Sequence, residues 1–227
     1  MKNPTTPTPP EVITFPAKNN LPSLLDMNKA LLLTVLLLAS PFSPAFANLL
    51  VNADFEASPT EDEKYPFYKT PQWYNPAPTG KKAQGETARV RVPSLEGSVY
   101  SATINNRQQE IAAFIQKSEH IIKEGEEIEL SLDWTTGWKW TLKDLLRVVV
   151  FAKSDNTLGG VNVWEDKIDF QRAPDGVWEK KRHTFRPAPA EAAGKTLYFS
   201  FYGVDPMDSG IIGWCRVDNI NLTVKPK

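Results

Sequence analysis

Glu127-Ile-Glu-Leu-Ser-Leu-Asp-Trp134 alternates without a break: Ile128, Leu130, Leu132 and Trp134 share one parity, and Glu127, Glu129, Ser131 and Asp133 share the other. Successive side chains of an extended chain point to opposite faces, so this octet reads as a strand with one dry and one wet face. A helix would scatter the same four apolar residues around its axis.

The pattern recurs on both sides of that octet. Leu197, Phe199 and Phe201 alternate with Tyr198, Ser200 and Tyr202, and residues 146–152 are apolar except for Arg147, as in a strand covered on both faces. Residues 87–92, 99–104, 112–117, 161–164 and 177–185 complete a set of short strands. Lys123-Glu-Gly125, Ser154-Asp-Asn-Thr-Leu-Gly-Gly160, Ala173-Pro-Asp-Gly176 and Ala193-Gly194 supply the turns between them. Short strands with such punctuation predict an all-β antiparallel sandwich. Residues 141–146 alone offer a short helical turn.

Two stretches depart from simple alternation. In Gly213-Trp-Cys-Arg-Val-Asp-Asn-Ile-Asn-Leu-Thr-Val224, Cys215 and Val217 share one parity while Ile220, Leu222 and Val224 share the other. A strict two-residue period cannot bury both sets, which predicts a bulge at Asp218-Asn219. Residues 57–82 hold five prolines among Tyr65, Phe67, Tyr68, Trp73 and Tyr74, a composition that suits a packed loop lying across the sandwich.

Met27-Asn-Lys29, the apolar run 30–39 and Ala45-Phe46-Ala47 read as a secretory signal with its cleavage site, making Asn48 the expected mature N-terminus. The run is too short for a bilayer span, which takes about 20 residues. Residues 1–26, rich in Pro and Thr, resemble no signal n-region; they read as a mis-annotated upstream start or a disordered leader. The expected location is secreted or periplasmic, with no membrane span in the mature chain. The remaining 48–227 suit one domain. That part carries 23 basic and 25 acidic side chains, which gives no electrostatic ground for nucleic acid. Cys215 is the sole cysteine, so an internal disulfide is excluded.

Asn48-Leu-Leu-Val-Asn-Ala-Asp-Phe-Glu56, together with Trp178-x5-Thr184-Phe185, Ala193-Gly194-Lys195-x-Leu197 and Val217-Asp218-Asn219-Ile220-x-Leu222, resembles galactose-binding-like β-sandwiches. The resemblance is to carbohydrate-binding modules of the cellulose- and xylan-binding (CenC-like) type, and it spans nearly all of 48–227. It implies a jelly-roll sandwich that binds a polysaccharide or glycan either in a cleft across one sheet or at the loop edge. It also implies a structural calcium near the chain ends, with Glu56 and Asp218 as carboxylate ligands. Ala53 stands where the family usually has Gly, and such modules usually sit beside catalytic domains, which makes a separate polysaccharide-active enzyme an expected partner.

Sugars present apolar C–H faces flanked by hydroxyls, so their sites pair aromatic platforms with polar side chains. Trp138 and Trp140, in a loop-like stretch, and Trp164, following Gly159-Gly160, are the candidate platform. Tyr100, Gln116 and Arg89 are candidate hydrogen-bonding partners on strands expected in one sheet. Trp73, Trp134 and Trp178 are expected in the core. No catalytic constellation emerges. His120 and His183 stand far apart from each other, and the Glu-x-Asp-x-x-Glu pattern of some jelly-roll glucanases is not met. The sequence thus favours a non-catalytic carbohydrate-binding module, with a structural or adhesive β-sandwich as the alternative.

Overall fold

The computed structural model describes residues 47–57, 70–75, 85–89, 95, 97–106, 113–171, 173 and 175–225. The signal and leader, and most of the proline-rich stretch 57–82, lie outside these residues. Among the described residues no helix is long and apolar enough to cross a membrane.

Among the described residues, nine strands form two antiparallel sheets: β1 (Gly85–Arg89), β2 (Tyr100–Asn105), β3 (Phe114–Ile121), β4 (Ile128–Thr136), β5 (Leu145–Lys153), β6 (Asn162–Phe170), β7 (Glu179–Thr184), β8 (Thr196–Val204) and β9 (Trp214–Val224). One sheet has the order β1-β2-β9-β4-β7 and the other β3-β8-β5-β6. This is an antiparallel sandwich, as the alternating patterns predict, of the jelly-roll kind that the resemblance implies. The expected helical turn over 141–146 is absent. Residues 141–144 make a turn instead, in which the Thr141 amide donates to the Asp144 carboxylate, and β5 starts at Leu145. One 3₁₀ turn, Ala190–Ala192, links β7 to β8.

The dry parity of each strand fills the space between the sheets. Ile128, Leu130, Leu132 and Trp134 of β4 meet Leu146, Val148 and Val150 of β5 and Leu197, Phe199 and Phe201 of β8. Trp73 joins them, stacked on Phe55 at 5.5 Å between centroids and edge-on to Phe114, Phe199 and Phe201. Aromatic groups of this kind gain from edge-to-face geometry beyond the area they bury. The part of the proline-rich stretch that is described, residues 70–75, is therefore packed as expected.

The change of parity in β9 resolves as anticipated. Ser131 pairs with Asn221 and Asp133 with Asp218, so three residues of β9 span two of β4. Asn219 takes up the extra residue in the left-handed region, at φ 46°. Asn tolerates that conformation better than most residues, because its side chain bonds locally. Here Asn219 Nδ2 donates to Asp133 Oδ2 at 3.0 Å.

The first described segment lies along β9. The Leu49 amide donates to Leu222 O, and Asn48 closes a clip in which Nδ2 donates to Ile220 O at 2.7 Å and Oδ1 accepts from the Leu222 amide at 3.0 Å. Ala53 O accepts from Ile220 N, and Ala53 is buried without a left-handed φ, so alanine is unstrained at that position.

Candidate functional site

The register of the five-stranded sheet fixes what its outer face, away from the core, presents. Cys215 and Val217 point inward on β9, so Trp214 and Arg216 point outward. Arg216 pairs with Thr103 of β2 on one side and Thr135 of β4 on the other. Trp178 lies one residue before Glu179, the partner of Trp134, and so falls beside Thr135. Above that row, the Gly137 amide donates to Trp214 O and the Trp214 amide donates to Trp138 O, both at 3.0 Å. Those two bonds hold the backbones of Trp138 and Trp214 side by side.

The result is a cleft of about 350 Å³ walled by Trp138, Trp178 and Trp214, with Arg216, Thr103 and Thr135 among its polar groups. Its volume lies in the range of ordinary small-ligand sites, roughly 300–1,000 Å³. The mouth is set by a tight turn. Trp140 N donates to Gly137 O, and Lys139 adopts a left-handed φ of 57°. That reversal sends Trp138 outward, 64% exposed, and Trp140 inward, 2% exposed. Lys139 Nζ sits 4.4 Å from the centre of the Trp138 ring, a cation–π contact at the rim. On the other rim, the Gly176 amide donates to Thr136 O, and Thr136 Oγ1 donates to Ala173 O.

Two details give the cleft binding chemistry. The Thr103 hydroxyl is buried and has no hydrogen-bond partner among the described residues. A buried hydroxyl without a partner costs on the order of 1–3 kcal/mol, which a ligand's polar group would recover. Trp178 is buried but does not belong to the core between the sheets; its surface is turned to the cleft.

The sequence-predicted residues divide accordingly. Trp138 stands in the cleft. Trp140 and Trp164 are both part of the core, Trp164 on the inward parity of β6 in the opposite sheet and only 8% exposed. Gln116 lies on β3, also in the opposite sheet, where its amide accepts from Val51 N and donates to Val51 O and Gln72 O. It fastens the N-terminal segment. Tyr100 is half-buried against the core, and Arg89 pairs with it in β1. The structure therefore does not assemble these six residues into one site. Trp73 and Trp134 lie in the core as expected, whereas Trp178 lies outside it.

Three cleft residues, Trp178, Trp214 and Arg216, escaped the sequence reading although a signal was present. Trp178 shares parity with Lys180 and Arg182, and Trp214 with Arg216 and Asp218. In β9 the tryptophan stands on the charged parity, whereas in β7 Glu179 and Lys181 charge the other parity as well.

Glu56 and Asp218 converge on one segment. Glu56 Oε1 accepts from the amides of Val99 and Tyr100 at 2.6 and 2.7 Å, and Asp218 accepts from the Ser98 hydroxyl and the Asn219 amide. An oxygen aimed at two amide hydrogens is oriented for donors rather than for a cation. Among the described residues no three of His, Cys, Asp and Glu gather closely enough to hold a metal.

No protein-family model matches the chain, and no curated protein does so significantly. Solved structures match in fold. An apo-form cyclase from Fischerella sp. superposes with a TM-score of 0.53 at 16% identity, covering 79% of this chain and 97% of that one. A cyclase from Fischerella sp. TAU in complex with 4-(1H-indol-3-yl)butan-2-one gives 0.52 at 16% identity, covering 79% and 98%. The CBM22-1 xylan-binding domain of Paenibacillus barcinonensis Xyn10C gives 0.50 at 13% identity, covering 79% and 96%. The sandwich that the terminal motifs implied, that of carbohydrate-binding modules, is thus the fold of this chain, and the same sandwich also serves a cyclase.

Proposed function

We propose that this protein is a secreted, non-catalytic glycan-binding module, and that its ligand, a polysaccharide, enters the cleft of Trp138, Trp178 and Trp214. One observation carries the reading. Three tryptophans from three separate segments converge beside Arg216 and the unpartnered Thr103 hydroxyl. Aromatic faces for C–H surfaces, with a few polar groups to fix hydroxyls, are what sugar recognition requires. The carbohydrate-binding neighbour supports the same use of the fold, though fold alone does not assign a ligand.

The cyclase neighbour, seen with an indole-bearing ligand, together with the apolar walls of the cleft, supports a second reading: binding or cyclisation of a small aromatic molecule. Acid-driven cyclisation needs a proton donor against the substrate. Among the described residues that line the cleft there is no carboxyl group. That difference favours the glycan.

Affinity gel electrophoresis of the full-length chain against xylan, β-glucans, mannan, pectin and alginate tests the proposal. Retardation by a polymer, lost in Trp138→Ala, is the expected result. Absence of retardation across the panel would shift the weight to a structural or adhesive role, and tight binding of an indole ketone to the small-molecule reading. A separate polysaccharide-active enzyme as partner is a corollary, checked by whether added protein raises hydrolysis of an insoluble substrate.

A further inference from the structure

Beneath the tryptophans the outer face of the five-stranded sheet continues as a polar floor whose charges are sorted by depth. The row below Thr103, Arg216, Thr135 and Trp178 is Asp218, Asp133 and Lys180, and the next is Asn221, Ser131 and Arg182. Successive rows stand about 7 Å apart, two residues of extended chain. Two depressions occupy this floor and share Ser131 and Asn221, so they adjoin.

In each of the three rows the charged strand side chain that reaches solvent is a cation, although the exposed Asp54 of the N-terminal segment lines the depression that holds Lys180. Arg216 is half-buried at the cleft, and Lys180 and Arg182 are exposed. The acids of the same rows are withdrawn. Asp133 and Asp218 are fully buried, one accepting from Asn219 and the other from Ser98. Lys180 Nζ lies 3.9 Å from the buried Asp133 carboxylate, and Lys180 itself is exposed. Arg182 makes no hydrogen bond or ion pair among the described residues. Lys139 adds a fourth cation at the tryptophan rim. Glu129, half-buried, comes only one row beyond Arg182. A chain with a formal net charge of −1 thus sets three strand cations in file along one face.

We propose that the polymer received here is anionic: a uronic-acid-bearing polysaccharide whose rings stack on Trp138, Trp178 and Trp214 while its carboxylates lie against Arg216, Lys180 and Arg182. This rests on the glycan reading above and deepens it. Charge complementarity selects an acid, and the planar guanidinium groups of Arg216 and Arg182 match planar carboxylates in paired hydrogen bonds. Cations spaced one row apart suit acid groups distributed along a chain better than a single multiply charged head.

The test compares polymers identical except for charge. Full-length protein is run in affinity gels containing glucuronoxylan, polygalacturonate or alginate, and in gels containing the same polymers after their carboxyl groups are reduced to hydroxymethyl groups. The expected result is at least about tenfold tighter retention by one acidic polymer than by its reduced form, an advantage that shrinks as salt rises. Lys180→Gln with Arg182→Gln is expected to erase the advantage while leaving retention by the reduced form unchanged. Both side chains are exposed, so the variant should fold, and unchanged thermal melting confirms it. Equal retention by acidic and reduced polymers would overturn the charge proposal and leave the glycan reading standing. No retention by any polymer would overturn both. Retention by dextran sulfate without retention by any uronate would overturn the uronate assignment in favour of sulfate.

Discussion

Trp138 and Trp140 are two residues apart and meet opposite fates, because left-handed Lys139 between them reverses the chain. Replacement should separate the two roles. Trp138→Ala is expected to lower glycan affinity by about tenfold or more with no change in melting, as for loss of an aromatic anchor. Trp140→Ala is expected to cost about 3–5 kcal/mol in denaturant unfolding, the range for a large core side chain. A Trp138 variant that unfolds early, or a Trp140 variant of wild-type stability, would reverse the assignments. Thr103 offers a finer probe. Thr103→Val keeps the shape and removes the unpartnered hydroxyl, so stability should hold or rise while affinity falls. Equal affinity would show that the hydroxyl does not touch the ligand.

At the scale of elements, two strands carry the site's logic. β9 changes parity at Asn219, which lets one strand bury Cys215 and Val217 above the bulge and Ile220 and Leu222 below it. The Asn48 clip fastens just past that point. Asn48→Ala removes three hydrogen bonds made by one side chain and is expected to cost about 1–3 kcal/mol, read by urea unfolding. β7, at the sheet's end, carries His183 packed edge-on to Phe185 at 4.9 Å between centroids. Burial pushes the His183 imidazole below its ordinary value of 6.5, outweighing the nearby Asp166 carboxylate. Its folded pKa lies below the unfolded one. The associated stability is therefore present above pH 6.5 and is lost as pH falls through the lower folded value. His183→Asn should flatten the melting profile between pH 7 and 5, and an unchanged profile would show that other groups govern it.

For the molecule as a whole, the strands could be read from the sequence because parity is local, whereas the site could not because sheet partnership is not. Nothing in the sequence separates the neighbours of Gln116 from those of Arg89, and the two strands fall in different sheets. Trp178 matches a core position of the resembled family, and with charge on both parities of β7 only the pairing of that strand beside Thr135 shows its side. The calcium expectation is a question for the whole fold. With Glu56 Oε1 engaged by two amides, added calcium or chelator is expected to leave the melting temperature unchanged. A rise of several degrees with calcium would return Glu56 and Asp218 to a metal. The clip between Asn48 and β9 has a mechanical corollary. Both ends of the described sandwich leave it beside Leu222, eight residues and about 25 Å along β9 from Trp214. A molecule held to a bead, a fibre or another protein by either end would therefore keep its tryptophans about 25 Å from the point of attachment.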